Sequence, residues 1–112
     1  MIYSSCRKIL LPLLLFCLAA GQSIAAELAA GKAKAQAVCQ TCHGIDGHAI
    51  LPMAANLSGQ QEDYLIIQLK NYRAGKRQHA QMSIIAGMLT DEDIENVAKW
   101  YSSIKVTIEL PE

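Results

Sequence analysis

The sequence predicts a small all-α domain of three main helices, wrapped around a centre that their own side chains do not fill. Three observations lead there. Apolar residues recur at helical three- and four-residue steps in three separate segments. The length of 112 residues leaves room for one domain. Beyond an N-terminal export segment the chain keeps one pair of cysteines, Cys39 and Cys42. Small exported domains usually add two or more disulfides or a metal centre to so modest a core, so something else must occupy the middle.

The chain begins with basic Arg7 and Lys8, an apolar run from Ile9 to Ala20 broken only by Pro12, and then small residues at Ser23, Ala25 and Ala26. That order is the pattern of a secretory signal. It predicts a cleaved signal peptide over 1–25 and a domain over 26–112, exported to an oxidising, periplasm-like compartment. The apolar run is short against the roughly 20 residues that cross a bilayer, which disfavours an uncleaved anchor. Phe16 before Cys17 disfavours a lipoprotein. Cys6 and Cys17 leave with the signal, as do Arg7 and Lys8. The remaining chain holds 8 basic and 10 acidic residues, a net charge of −2 against zero for the whole. Nucleic-acid binding, which needs a basic surface, is disfavoured.

The first helix is expected over Ala26 to Val38, with Leu28, Gly31, Ala35 and Val38 on a thin small-residue stripe. Gly31 would cost about 1 kcal/mol against alanine in a helix, so a close crossing with another helix is expected there. Cys39 to Gly59, with its glycines and Pro52, reads as loop. Ser58 with Gln61 resembles a capping box. It would open a second helix that carries Leu65, Leu69 and Tyr72 on one face and stops at Gly75. Lys76 to Met88 reads as irregular or a short helical turn. Thr90 is expected to cap the third helix, with Asp91, Glu92 and Asp93 at its positive end and Ile94, Val97, Ala98 and Tyr101 buried. The tail 104–112, with Val106, Ile108 and Leu110 alternating, is either an extended strap or frayed.

Cys39-Gln40-Thr41-Cys42-His43 is a complete C-x-x-C-H, the attachment motif of haem c. The spacing follows from the chemistry. Two thiols bond to the two vinyl groups on one edge of a haem, and the adjacent imidazole of His43 supplies the proximal ligand to the iron. A thioredoxin-like dithiol would need a βαβ context. A zinc site normally has four N/S ligands, and a plain disulfide leaves His43 unexplained. For the other face of the iron the sequence offers Met53, Met82, Met88, His48 and His79. His48 lies only five residues from His43, a short reach to the opposite face. His79 would give a bis-His haem, and a methionine taken singly is more often core filler than ligand.

From Gly31 to Ser103 the chain resembles a class I c-type cytochrome, of the small single-haem proteobacterial kind related to one half of the two-haem periplasmic cytochromes. The residues that carry the resemblance are Gly31-Lys32-Ala33, Cys39-x-x-Cys42-His43-Gly44 and Asn56-Leu57-Ser58-Gly59-Gln60. They continue with Tyr64-Leu65, Gln68-Leu69, Arg73-x-Gly75-x-Arg77, Met82 and Leu89-Thr90-Asp91-Glu92-Asp93-Ile94. The resemblance implies Met82 as distal ligand, seven residues before Leu89. It implies a crossing of the first and last helices at Gly31. It also implies a backbone carbonyl accepting the His43 ring N–H from the position before Asn56, where this chain has Ala55 in place of the family's common proline.

A neutral thioether fills the coordination site and favours the reduced iron relative to two imidazoles. The expected function is therefore one-electron transport between redox proteins by a monomer with opposite surface clusters, Lys70, Arg73, Lys76 and Arg77 against Asp91 to Glu95, which would orient docking. Arg73 is also a candidate contact for a haem propionate, since guanidinium suits carboxylates. A membrane is expected to matter only through a membrane-bound partner. No nucleophile–base pair points to an enzyme. The alternatives are a cytochrome subunit of a periplasmic dehydrogenase or oxidase, and a haem sensor with an open iron.

Overall fold

The computed structural model of the chain describes the backbone of residues 7–112 and the side chains from Ser23 onward. The side chains of most of the expected signal segment, 1–25, and all of residues 1–6 lie outside the described residues. Five helices follow in order: α1 (Arg7–Val38), α2 (Gln40–His43), α3 (Glu62–Arg73), α4 (Met82–Gly87) and α5 (Asp91–Ser102). No strand occurs among the described residues. The three main helices expected from periodicity are α1, α3 and α5. Helix α1 does not start at Ala26 but runs unbroken from Arg7. No proline lies between Leu13 and Val38, so nothing in the backbone forces a break there. Among the described residues no helix is long and apolar enough to cross a membrane.

Helix α5 packs across both α1 and α3, and α4 packs on α3. The α1–α5 crossing is set by Gly31. A Cβ there would stand 2.0 Å from the Asn96 carbonyl oxygen and 3.1 Å from the Trp100 Cβ. The glycine is thus a contact surface between two helices, as its place in the sequence predicts. Lys34 adds an ion pair to Asp93 across this crossing at 3.1 Å. Lys99 pairs with Glu62 at 3.3 Å between α5 and α3. Both pairs are partly exposed and worth little individually.

Thr90 caps α5 as expected, and the cap is reciprocal. Thr90 Oγ1 accepts from the Asp93 amide and Asp93 Oδ2 accepts from the Thr90 amide, both at 3.1 Å. The Ser58–Gln61 capping box is not formed. Gln61 is itself the N-cap of α3 and its side chain bonds no amide of the first turn. The local pattern loses to tertiary bonds: the Leu57 and Ser58 amides donate to Gly47 O at 2.8 and 3.4 Å, and the Gly59 amide to Tyr101 O at 2.9 Å. These contacts place Ser58 in the loop, away from the helix start. Helix α3 ends just before Gly75, as expected. Beyond Ser103 the chain has no regular structure, and Ile108 and Leu110 are exposed.

The core is small. Ala35, Leu65, Ala86, Leu89, Ile94, Val97, Ala98 and Tyr101 are its buried apolar residues, and Tyr101 and Ile94 are the largest side chains fully enclosed. Three of the eight are alanines. Helices that meet through so little apolar bulk leave the centre of the fold open.

Candidate functional site

The open centre is a cleft of about 550 Å³, within the usual range of cofactor and small-molecule pockets. Apolar side chains form most of its wall, among them Val38, Leu57, Leu65, Leu69, Ile85, Leu89 and Val97. Cys39, Cys42, His43 and Met82 line the same cleft. The fold therefore brings the three residues of the attachment motif and Met82, the distal ligand that the resemblance implies, to one cleft.

Local helix formation presents the motif. Cys39 extends α1, with its amide on Ala35 O at 2.9 Å. The next four residues, read from sequence as loop, are the single turn α2. The His43 amide donates to Cys39 O at 3.0 Å. Residues three apart on such a turn share one face, so both thiols meet the cleft. Gly44 then ends the turn at φ +71°, where a Cβ would stand 2.4 Å from His48 O. Only glycine adopts that backbone without strain.

The His43 ring is oriented by the loop that follows. Its Nδ1 lies 2.7 Å from Ala55 O. A carbonyl can only accept, so Nδ1 carries the proton and Nε2 keeps the lone pair that binds a metal. Proline at the preceding-Asn position is not required: the loop is held by other bonds. The Ile50 amide donates to Cys42 O at 2.9 Å, and the Ala49 amide to Asn56 Oδ1 at 2.8 Å. From α5, Tyr101 Oη donates to Gly44 O at 2.9 Å and Trp100 Nε1 to Ile45 O at 3.0 Å. Burial pushes the Tyr101 hydroxyl pKa upward, which keeps it a donor.

The two thiols are not joined to each other. Burial, and then the neighbouring Cys42, push the Cys39 thiol up to about 11. A dithiol oxidoreductase needs a readily formed thiolate with a lowered pKa, and the Cys39 thiol is shifted the opposite way. Apolar walls, a cofactor-sized space, two thiols on one face and an oriented imidazole fit a covalently held planar group.

The candidates for the distal side separate in space. Met82 opens α4, is half-buried and lines the cleft. Met53 also lines it but is 89% exposed. Met88 is 61% exposed and, like His48, is not part of the wall. His79 borders the cleft, and its Nδ1 accepts from the Gln81 and Met82 amides, each at 3.3 Å. Arg73, read from sequence as a propionate contact, is directed elsewhere. Its guanidinium donates to Leu89 O at 3.1 Å and to the Asp91 carboxylate. The guanidinium in the cleft wall is that of Arg77, which donates to Gln68 Oε1 at 2.7 Å and lies 4.7 Å from the Tyr72 ring centroid. Arg77 stands in the same Arg-x-Gly-x-Arg pattern, but only the turn after α3 decides which arginine faces inward.

Residues 28–105 match the family model described as Cytochrome c. The chain is 39% identical over 103 residues to a cytochrome c4 of Pseudomonas aeruginosa, an alignment covering 91% of this chain and 51% of that one. It is 40% identical over 82 residues to cytochrome c-554(548) of Halomonas halodenitrificans, covering 70% of this chain and 98% of that protein. A cytochrome c4 of Stutzerimonas stutzeri is 36% identical over 112 residues, covering 91% and 53% respectively. The chain thus spans about half the length of its cytochrome c4 relatives.

Proposed function

The chain belongs to the cytochrome c family, and on that premise we propose that it is an exported one-electron carrier with a single haem c bound through Cys39 and Cys42. In this reading residues 1–25 are the cleaved signal and the domain of 26–112 works in the periplasm, as a monomer that passes electrons between redox protein partners. His43 is the proximal and Met82 the distal ligand of the iron. The observation that carries the proposal is the C-x-x-C-H turn opening onto an apolar cleft of about 550 Å³ whose wall also holds Met82.

When bound, the haem supplies the ferrous–ferric couple of its iron, which is the one-electron chemistry itself. The protein's residues set the conditions for it. Ala55 O holds the His43 tautomer and keeps Nε2 aimed as a ligand. The Met82 thioether, which lines the cleft, would serve as the second protein ligand of the iron and, being neutral and soft, would favour the reduced state. The apolar wall excludes water, so little need reorganise when the charge changes. Arg77 is the cation at the cleft that suits a propionate. Exposed Leu51, Met53, Tyr64 and Ile84 border the same cleft and form the surface offered to partners.

The ferric absorption spectrum of Met82→Ala tests the ligand set. The substitution is expected to leave haem attached, abolish the sulfur-to-iron charge-transfer band, lower the potential and admit carbon monoxide to the ferrous iron. Met53→Ala and Met88→Ala are expected to keep the band. Loss of the band in Met88→Ala alone would overturn the assignment. A wild type without the band, whose spectrum changes in His79→Ala, would replace it with bis-His ligation.

A further inference from the structure

We infer that Arg73 is a positioning residue for the distal side of the site: it latches the Met82-bearing segment 78–89 to the end of α3 and the start of α5. The inference rests on the reading of Met82 as distal ligand. The segment has little of its own to hold it. Helix α4 is six residues long, with Ala86 as its buried residue, and helices that short are not stable alone. Its own side-chain bonds are internal: the His79 amide to Ser83 Oγ, and the Gln81 and Met82 amides to His79 Nδ1. Among the described residues, the bond from Arg73 to Leu89 O is the one side-chain hydrogen bond that reaches this segment from outside it.

That bond falls where it matters mechanically. Leu89 closes the segment, its side chain is 5% exposed, and it lines the cleft with Met82. Removing Arg73 would leave the carbonyl of a buried residue without this charged donor, a larger loss than that of a neutral bond. The same guanidinium reaches the Asp91 carboxylate in the first turn of α5. One planar fork with several fixed N–H vectors serves both acceptors, which a lysine ammonium does not reproduce. The Arg73–Asp91 pair is itself largely exposed and contributes little alone. The latch is therefore the Leu89 bond, with Asp91 orienting the guanidinium.

The test compares holoprotein of wild type, Arg73→Ala, Arg73→Lys, Asp91→Asn and, as a surface-pair control, Lys99→Ala. Two readouts are used: the rate at which added imidazole binds ferric iron, and amide hydrogen exchange over 82–89. Arg73→Ala is expected to keep covalent haem while raising both by roughly tenfold or more, the scale of a lost charged hydrogen bond. Arg73→Lys should be intermediate, and Asp91→Asn and Lys99→Ala near wild type. Should Arg73→Ala fail to fold, the lysine variant carries the comparison. Imidazole binding and exchange within twofold of wild type would overturn the latch. So would equal loosening of α1, α3 and α5, which is mere destabilisation, or an effect of Asp91→Asn as large as that of Arg73→Ala. A wild type lacking the sulfur–iron band would refute the Met82 reading, and exchange over 82–89 would still decide the latch.

Discussion

Replacing Gly31 with alanine pits local helix propensity against tertiary contact. In α1 alone the change favours helix by about 1 kcal/mol. At the crossing, however, the new Cβ would stand 2.0 Å from Asn96 O and 2.7 Å from the Asn96 carbonyl carbon. Both are backbone atoms of α5, so no side-chain rotation relieves the clash and the helices must separate. Overpacking of a well-fitted contact costs roughly 1–3 kcal/mol, and a backbone clash this close belongs at the upper end. The net destabilisation is then about 2 kcal/mol after the propensity gain. For a domain of this size that lowers Tm by roughly 8–16 °C. Thermal unfolding of ferric holoprotein, followed by far-ultraviolet circular dichroism, measures it. Gly87→Ala is the matched control, because a Cβ there meets nothing within 4 Å, and its Tm should hold or rise. An unchanged or raised Tm in Gly31→Ala would refute the close crossing.

Further outcomes follow from single bonds. Tyr101→Phe removes the buried donor to Gly44 O and should cost about 1–2 kcal/mol in denaturant titration, with haem retained. Thr90→Ala breaks the reciprocal cap of α5 and should cost about 1 kcal/mol, read as a lower denaturation midpoint with unchanged slope. Asp93 has its pKa held below the ordinary carboxylate value by the Thr90 amide. Its stabilisation is therefore full above that ordinary value and lost as pH falls through the depressed folded value. The stability gap between wild type and Asp93→Asn should accordingly narrow in melts taken from pH 6 down to about pH 2, near and below those carboxylate pKa values; a gap that widens on acidification would contradict the cap's electrostatics.

What the sequence reveals of this fold depends on how local each feature is. The Thr90 cap is legible because donor and acceptor lie three residues apart, inside one turn. The C-x-x-C-H site is legible because its chemistry fixes its own spacing. Gly31 is legible as a glycine out of place in a helix. The Ser58–Gln61 pattern is equally local, yet Gly47 and Tyr101 compete for the neighbouring amides, and no sequence window contains that competition. Arg73 and Arg77 differ for the same reason. Four residues apart in one motif, they diverge only because the chain turns after α3, sending one to Leu89 and Asp91 and the other to the cleft. The helical turn α2 hides among the glycines that follow it.

Covalent attachment is tested most directly by mass spectrometry of the purified mature protein after denaturation and extraction with acid organic solvent. Wild type should retain the added mass of one haem, with the mature chain beginning at Ala26 or Glu27, and the double variant Cys39→Ala, Cys42→Ala should carry none. Haem that extracts freely from the wild-type chain would contradict attachment through Cys39 and Cys42.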